Sequence, residues 1–437
     1  LEAALAGDDL LHEAKARRLL GTIAQQRRDL GDARRELQRA VELFRVLGDD
    51  NELAETLLAR GFAEVFGGSL DDAEELLAEA DRIYAARDDR RGGAWVRQHQ
   101  AWVSFLRGDH AEADRRLVSA AETFDALGDR SGVSWANGLL AWVRYFQRRF
   151  DDAEELAESV HTAVRSWGDR WAMNMMQTLL ANLRLWSGRI DEAEPLAERA
   201  LAGFRKLQDP YGTVQALAPL SRIRVALGKS AEAERGLEEL VSTADSIGDG
   251  GLALQAALGV AMHSGDTVRA LGLAEQAHDR RRASGADENE LLVMRALVLC
   301  QAGQADEALA VMEALCVDDL PFAMAVRAMA RATTGDHAGA IEDARATTTL
   351  EHPSYFDVAV ASLAGLGAAV AAGEDAAISS EAFSAALDHT AASSGDVVIQ
   401  QVARFAQRCL VDGDEADESL IGMGGWSTIV KTLAANA

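Results

Sequence analysis

The chain has 437 residues and only five prolines, and Ala, Leu, Glu and Arg dominate it, which suits an array of helices better than one compact core. Its 70 Asp and Glu outweigh 44 Lys and Arg, and a formal charge of −26 argues against direct contact with nucleic acid. No signal peptide or apolar run of about 18 residues occurs, so no membrane contact is expected. Cys300, Cys316 and Cys409 lack metal-type spacing and read as buried small residues of a reducing, cytoplasmic compartment.

In chain order, Leu1–Ala6 looks like the tail of a helix and Gly7-Asp8 like a stop and a cap. There is no initiator Met, so a fragment that starts inside a repeat is expected. Alanines then stand at 33, 73, 113, 153, 193 and 233, forty apart. Twelve residues before them come Gly21, Gly61, Ala101, Ala141, Ala181 and Ser221, and seven after them Ala40, Ala80, Ala120, Val160, Ala200 and Leu240. Turns at Gly48-Asp49, Gly108-Asp109, Gly128-Asp129, Gly168-Asp169 and Gly248-Asp249 end one helix with Gly and cap the next with Asp. The spacing predicts two helices per unit, joined by short turns. Markers continue less evenly at Ala270, Ala308 and Ala340, and Arg280-Arg281-Arg282 reads as a helix end complementing the dipole. Segments 354–372, 376–392 and 395–411 read as alanine-rich helices, and a last one over 427–435 is expected to cover the open end of the array. The sequence thus divides into a repeat array over 1–350 and degenerate helical repeats with a capping helix over 351–437.

Small residues at three fixed places around a turn resemble the tetratricopeptide repeat, at a period about six residues above the usual one. The resemblance implies an all-α fold: a right-handed superhelical α-solenoid of antiparallel helix pairs. In that family the first helix of each pair lines the concave surface.

Chemistry is mostly excluded. Phosphate-loop, dinucleotide, zinc-protease and hydrolase motifs are missing. The histidines are scattered, and Glu154-Glu155 and Glu238-Glu239 point apart on their helices. No enzyme activity, metal or cofactor is expected.

Seven of the eight tryptophans lie between residues 90 and 187. Trp95 and Trp102 are seven apart, as are Trp135 and Trp142 one repeat later, so each pair shares a helix face. The places that the resemblance assigns to the groove hold Phe62, then Trp95, Gln98, Trp102 and Phe105, then Trp135, Trp142 and Tyr145, then Asn182 and Trp186. Four exposed tryptophans, of about 150–250 Å² each, would together exceed what a soluble monomer leaves bare. Neighbouring helices, a ligand or peptide, or a second copy must cover them. Arg144, Arg184, Arg222 and Arg224 flank this face and are expected to pair with the acid-rich second helices. Trp167 and Trp171 flank the Gly168-Asp169 turn and are expected to pack the edge between repeats.

A forty-residue array with Leu-Gly-Asp turns is similar to the C-terminal sensor arm of large bacterial signal-transduction ATPases, including LuxR-type and AfsR-like regulators and cyclase–ATPase fusions. The likeness implies a non-catalytic sensor that binds a small-molecule or peptide effector, or a protein partner, in a concave aromatic groove. It would control an attached N-terminal signalling ATPase, cyclase or transcription-regulator domain that is missing from this sequence. The alternative is a constitutive scaffold or oligomerisation arm without a small ligand. An enclosed pocket mixing rings with a few polar groups would mark the sensor, and an open groove the scaffold.

Overall fold

The computed structural model describes residues 9–26, 29–67, 69–247, 250–284, 289–315, 320–350, 353–414 and 423–437. Leu1–Ala6, Gly7-Asp8, Gly248-Asp249 and Cys316 lie outside the described residues, as do the side chains of Arg280, Arg281 and Arg282. The described residues form 22 α-helices and no strand. None of those helices is long and apolar enough to cross a membrane.

The first helices in sequence are α1 (Leu10–Gln26), α2 (Leu30–Leu47), α3 (Asp50–Gly67), α4 (Leu70–Ala86), α5 (Arg90–Leu106), α6 (His110–Ala126), α7 (Arg130–Phe146), α8 (Phe150–Trp167) and α9 (Arg170–Trp186). Each starts twenty residues after the one before. The rhythm comes from the turns. Asp29, Asp49, Asp89, Asp109, Asp129 and Asp169 each accept the N–H three residues on, at 2.9–3.2 Å. Gly48, Gly108, Gly128 and Gly168 supply the left-handed residue just before, with φ of 68–83°. Asp88 and Arg148 hold the same place without being glycine, at a cost of about 1–2 kcal/mol each.

Two layers follow from the burial pattern. In α6 a single stripe is buried: Ala113, Leu117, Ala120 and Phe124. In α5 most sides are buried, from Ala94 and Val96 through Gln98, His99 and Ala101 to Val103. The difference arises because α5 packs on α6 and also on α3 and α7, the first helices of the adjacent repeats. The marker alanines Ala33, Ala73, Ala113 and Ala153 are fully buried where the two layers meet. A further recurrence matches ring to glycine. A Cβ on Gly92 or Gly132 would stand 2.3 Å from a ring atom of Tyr84 or Phe124, respectively. One repeat later the ring gives way to Val164 and the glycine to Ala172.

Contacts divide the chain into two compact units, up to Met176 and from Gln177 onward. The second continues with α10 (Ile190–Leu207), α11 (Pro210–Ala226), α12 (Ser230–Ile247), α13 (Gly250–Ser264), α14 (Thr267–Ser284), α15 (Asn289–Gln301), α16 (Ala305–Ala314), α17 (Pro321–Thr334), α18 (His337–Thr349), α19 (Tyr355–Ala371), α20 (Ala377–Ser394), α21 (Val397–Ala406) and α22 (Gly425–Asn436). The last helix packs on the inner helices α15, α17 and α19 and on α21. Trp426 is 1% exposed, and its Nε1 donates to the His263 carbonyl of α13 at 2.9 Å. Asn436 Nδ2 donates to the Thr333 carbonyl at 3.1 Å. Close by, Asp396 caps α21, accepts the Tyr355 hydroxyl at 2.8 Å and lies 2.9 Å from His263 Nε2. These contacts tie α21 to α13 and α19.

Candidate functional site

Five of the six tryptophans of the first unit converge on one cleft between α7, α8 and the start of α9. Its walls are Trp102 of α5, Trp135 and Trp142 of α7, Trp167 of α8 and Trp171 of α9, with Val160, Val164, Met175 and Met176 beneath. Ser131, Ser134 and Asp169 are the polar members. Trp135 and Trp171 stack at 5.4 Å with their planes 13° apart. Trp167 is 44% exposed, so the cleft opens to solvent past its ring. The volume of the cleft is about 40 Å³.

Register with the preceding repeat explains why the cleft opens here. Gln98, which is 1% exposed, is replaced by Gly138. Phe124, whose ring centroid sits 4.9 Å from that of Trp95, is replaced by Val164. Arg91 is replaced by Ser131. Three large side chains become small ones, and the space they filled is left over. Packing does not force the glycine, because a Cβ at Gly138 would meet Met176 and Val160 at 3.7 and 3.8 Å, ordinary contact distances.

The ten residues expected on the groove separate into several environments. Trp102, Trp135 and Trp142 enter the cleft. Phe62 and Trp95 turn to the core and pack on the ring of His99, at 4.5 and 6.2 Å. Gln98 is buried, and its Oε1 meets no hydrogen-bond donor among the described residues. His99 Nδ1 is 2.7 Å from the Trp95 carbonyl, and burial pushes the imidazole down to about 4, so it is neutral. Phe105 and Tyr145 join a ring cluster at the ends of their helices, 5.3 and 5.4 Å from Phe146. Asn182 and Trp186 belong to the second unit. There the Asn182 amide donates to the Thr178 carbonyl at 3.0 Å, and the Arg222 guanidinium sits 4.5 Å over the Trp186 ring.

Trp171 packs across the edge between repeats, on Trp135, and both it and Trp167 also wall the cleft. The signal was present: four residues apart across a turn, both are tryptophan where the preceding repeat has Leu127 and Ser131. The arginine expectation holds for Arg144, Arg184 and Arg224, which pair with Asp114, Glu192 and Glu198 at 3.4, 3.1 and 3.2 Å. Arg222 stacks on a ring instead.

No protein-family model matches this chain, and neither does any curated protein. A Rap protein solved in complex with Competence and Sporulation Factor is 14% identical, with 88% of this chain and 99% of that one covered at a TM-score of 0.54. Aspartyl phosphate phosphatase F from Bacillus subtilis is 12% identical over 69% of this chain and 92% of its own, at 0.48. A signal-transduction ATPase with a tetratricopeptide repeat sensor from Pyrococcus horikoshii is 14% identical over 78% of this chain and 50% of its own, at 0.38. At these identities the likeness is one of fold. The chain has the fold of tetratricopeptide-type helical-repeat proteins.

Proposed function

We propose that the first unit is a non-catalytic docking module that takes a peptide segment of a partner along its first-helix face, with one partner side chain entering the tryptophan cleft. The observation that carries this is the cleft itself. Five tryptophans wall a solvent-open space of about 40 Å³. Sites that enclose a small molecule run to roughly 300–1,000 Å³. The space here suits the end of a side chain better than a whole effector, which favours a peptide over a free metabolite. Tryptophan rings around a pocket are also the usual anchors of a hot spot. As a sensor arm, the module would pass docking on to an attached signalling ATPase, cyclase or transcription-regulator domain by favouring one of two states.

Peptide selection on the wild-type chain and on Gly138→Leu tests the reading. The leucine fits the helix and fills the cleft. Peptides enriched on the wild type are expected to lose binding to the variant, with circular dichroism unchanged. They should also blue-shift the wild-type tryptophan emission and protect it from acrylamide. Equal binding of the same peptides to both chains overturns the proposal.

A further inference from the structure

One repeat before the cleft, the chain completes the equivalent place with an arginine of its own. Arg91 Nε donates to Asp129 Oδ2 at 2.7 Å, while Asp129 Oδ1 caps α7 by accepting from Gly132 N at 2.9 Å. Asp169 repeats this arrangement forty residues on, accepting from Ala172 N at 3.0 Å to cap α9. The residue in register with Arg91 is Ser131, and Ser131 and Asp169 both line the cleft. Among the described residues no Lys, Arg or His lies within ion-pair distance of Asp169, and none of the cleft residues is basic.

The remaining walls are tryptophan faces, which carry the negative side of the ring quadrupole and attract a cation at about 6 Å or closer. This chain uses that attraction within its second unit. There Arg222, in register with Trp142, brings its guanidinium 4.5 Å over the Trp186 ring. A formal charge of −26 further favours a basic partner.

We propose that the side chain entering the cleft is an arginine of the docked partner. Its guanidinium stacks on the tryptophan walls and pairs with Asp169, in the place that Arg91 fills one repeat earlier. This rests on the docking function proposed above and specifies its ligand chemistry.

The test is a tryptophan-emission titration of the full chain with three probes: N-acetyl-arginine amide, N-acetyl-citrulline amide and N-acetyl-leucine amide. Citrulline keeps the shape of arginine without the charge. The arginine probe is expected to half-saturate at a concentration about tenfold below that of citrulline. Asp169→Asn should bring the two together, and asparagine caps a helix as well as aspartate does, so α9 is kept. Ser131→Arg supplies the missing guanidinium from within and should abolish the response without altering the thermal melt. Citrulline or leucine amide binding as well as arginine overturns the cation and leaves docking intact. An arginine preference that survives Asp169→Asn also overturns it. If none of the probes gives a saturable response the inference falls, and the selection on Gly138→Leu decides separately whether docking falls with it.

Discussion

His99 is a neutral imidazole in a buried place. Burial lowers its pKa from an ordinary 6.5 to about 4, while the unfolded chain takes up the proton near 6.5. Between those two values the unfolded state binds the extra proton, so stability is full above pH 6.5 and is lost as pH falls towards 4. At about 1.4 kcal/mol per pH unit, the loss reaches about 3 kcal/mol. One repeat on, the same place holds Leu139, so His99→Leu is a substitution this fold already accommodates. Urea unfolding at pH 7 and pH 4.5 should show the acid loss shrink in that variant by about 2 kcal/mol or more. An unchanged pH dependence would place the acid sensitivity elsewhere. Asp396 is a separate case with a lower window. His263 and its hydrogen-bond donors hold its carboxylate below the usual value against the opposing effect of burial. Its contribution is present above the ordinary carboxylate range and goes only as pH falls through the depressed value, so the two residues are distinguishable by pH alone.

At the scale of the helix, ring and glycine are fitted to each other. Gly132→Ala places a methyl 2.3 Å from Phe124 Cδ1, an overpacking of about 1–3 kcal/mol. Phe124→Val leaves a cavity and costs about 2–3 kcal/mol on its own. The double change recreates the Val164 and Ala172 pair of the next repeat, and denaturant melts should show it less destabilised than the sum by about 1 kcal/mol or more. Strict additivity would mean that the two positions do not share one space. The same matching explains what could be seen in the sequence. The helices and their period were legible because alanines, glycines and capping aspartates recur at fixed places for a local reason. The cleft was less so. It is made by lost bulk at Ser131, Gly138 and Val164, and lost bulk carries no hydrophobic signal of its own. Part of its wall also comes from the second helix α8, which a rule restricted to first helices passes over. Phe62 and Trp95 sit in groove register but turn inward, because the buried His99 ring gives them a partner.

At the scale of the molecule, the two units treat their inner helices differently. In the first, the inner helices carry an open aromatic cleft. In the second, the chain covers α15, α17 and α19 with its own α22, anchored by Trp426 on α13. The inner face of the second unit thus holds an amphipathic helix with an aromatic anchor, and that occupant is built in. This makes α22 part of the core of its unit. Removing a fully buried tryptophan side chain costs about 3–5 kcal/mol, so Trp426→Ala should lose that much in a denaturant melt. The location of the loss separates core from cap. If α22 is core, hydrogen exchange in Trp426→Ala accelerates in α13, α15 and α17 as well as α19, since all four touch it. If it only closes an end, exchange rises in the last helices alone, and α13 keeps its protection although it lies more than one hundred residues from Trp426 in the chain.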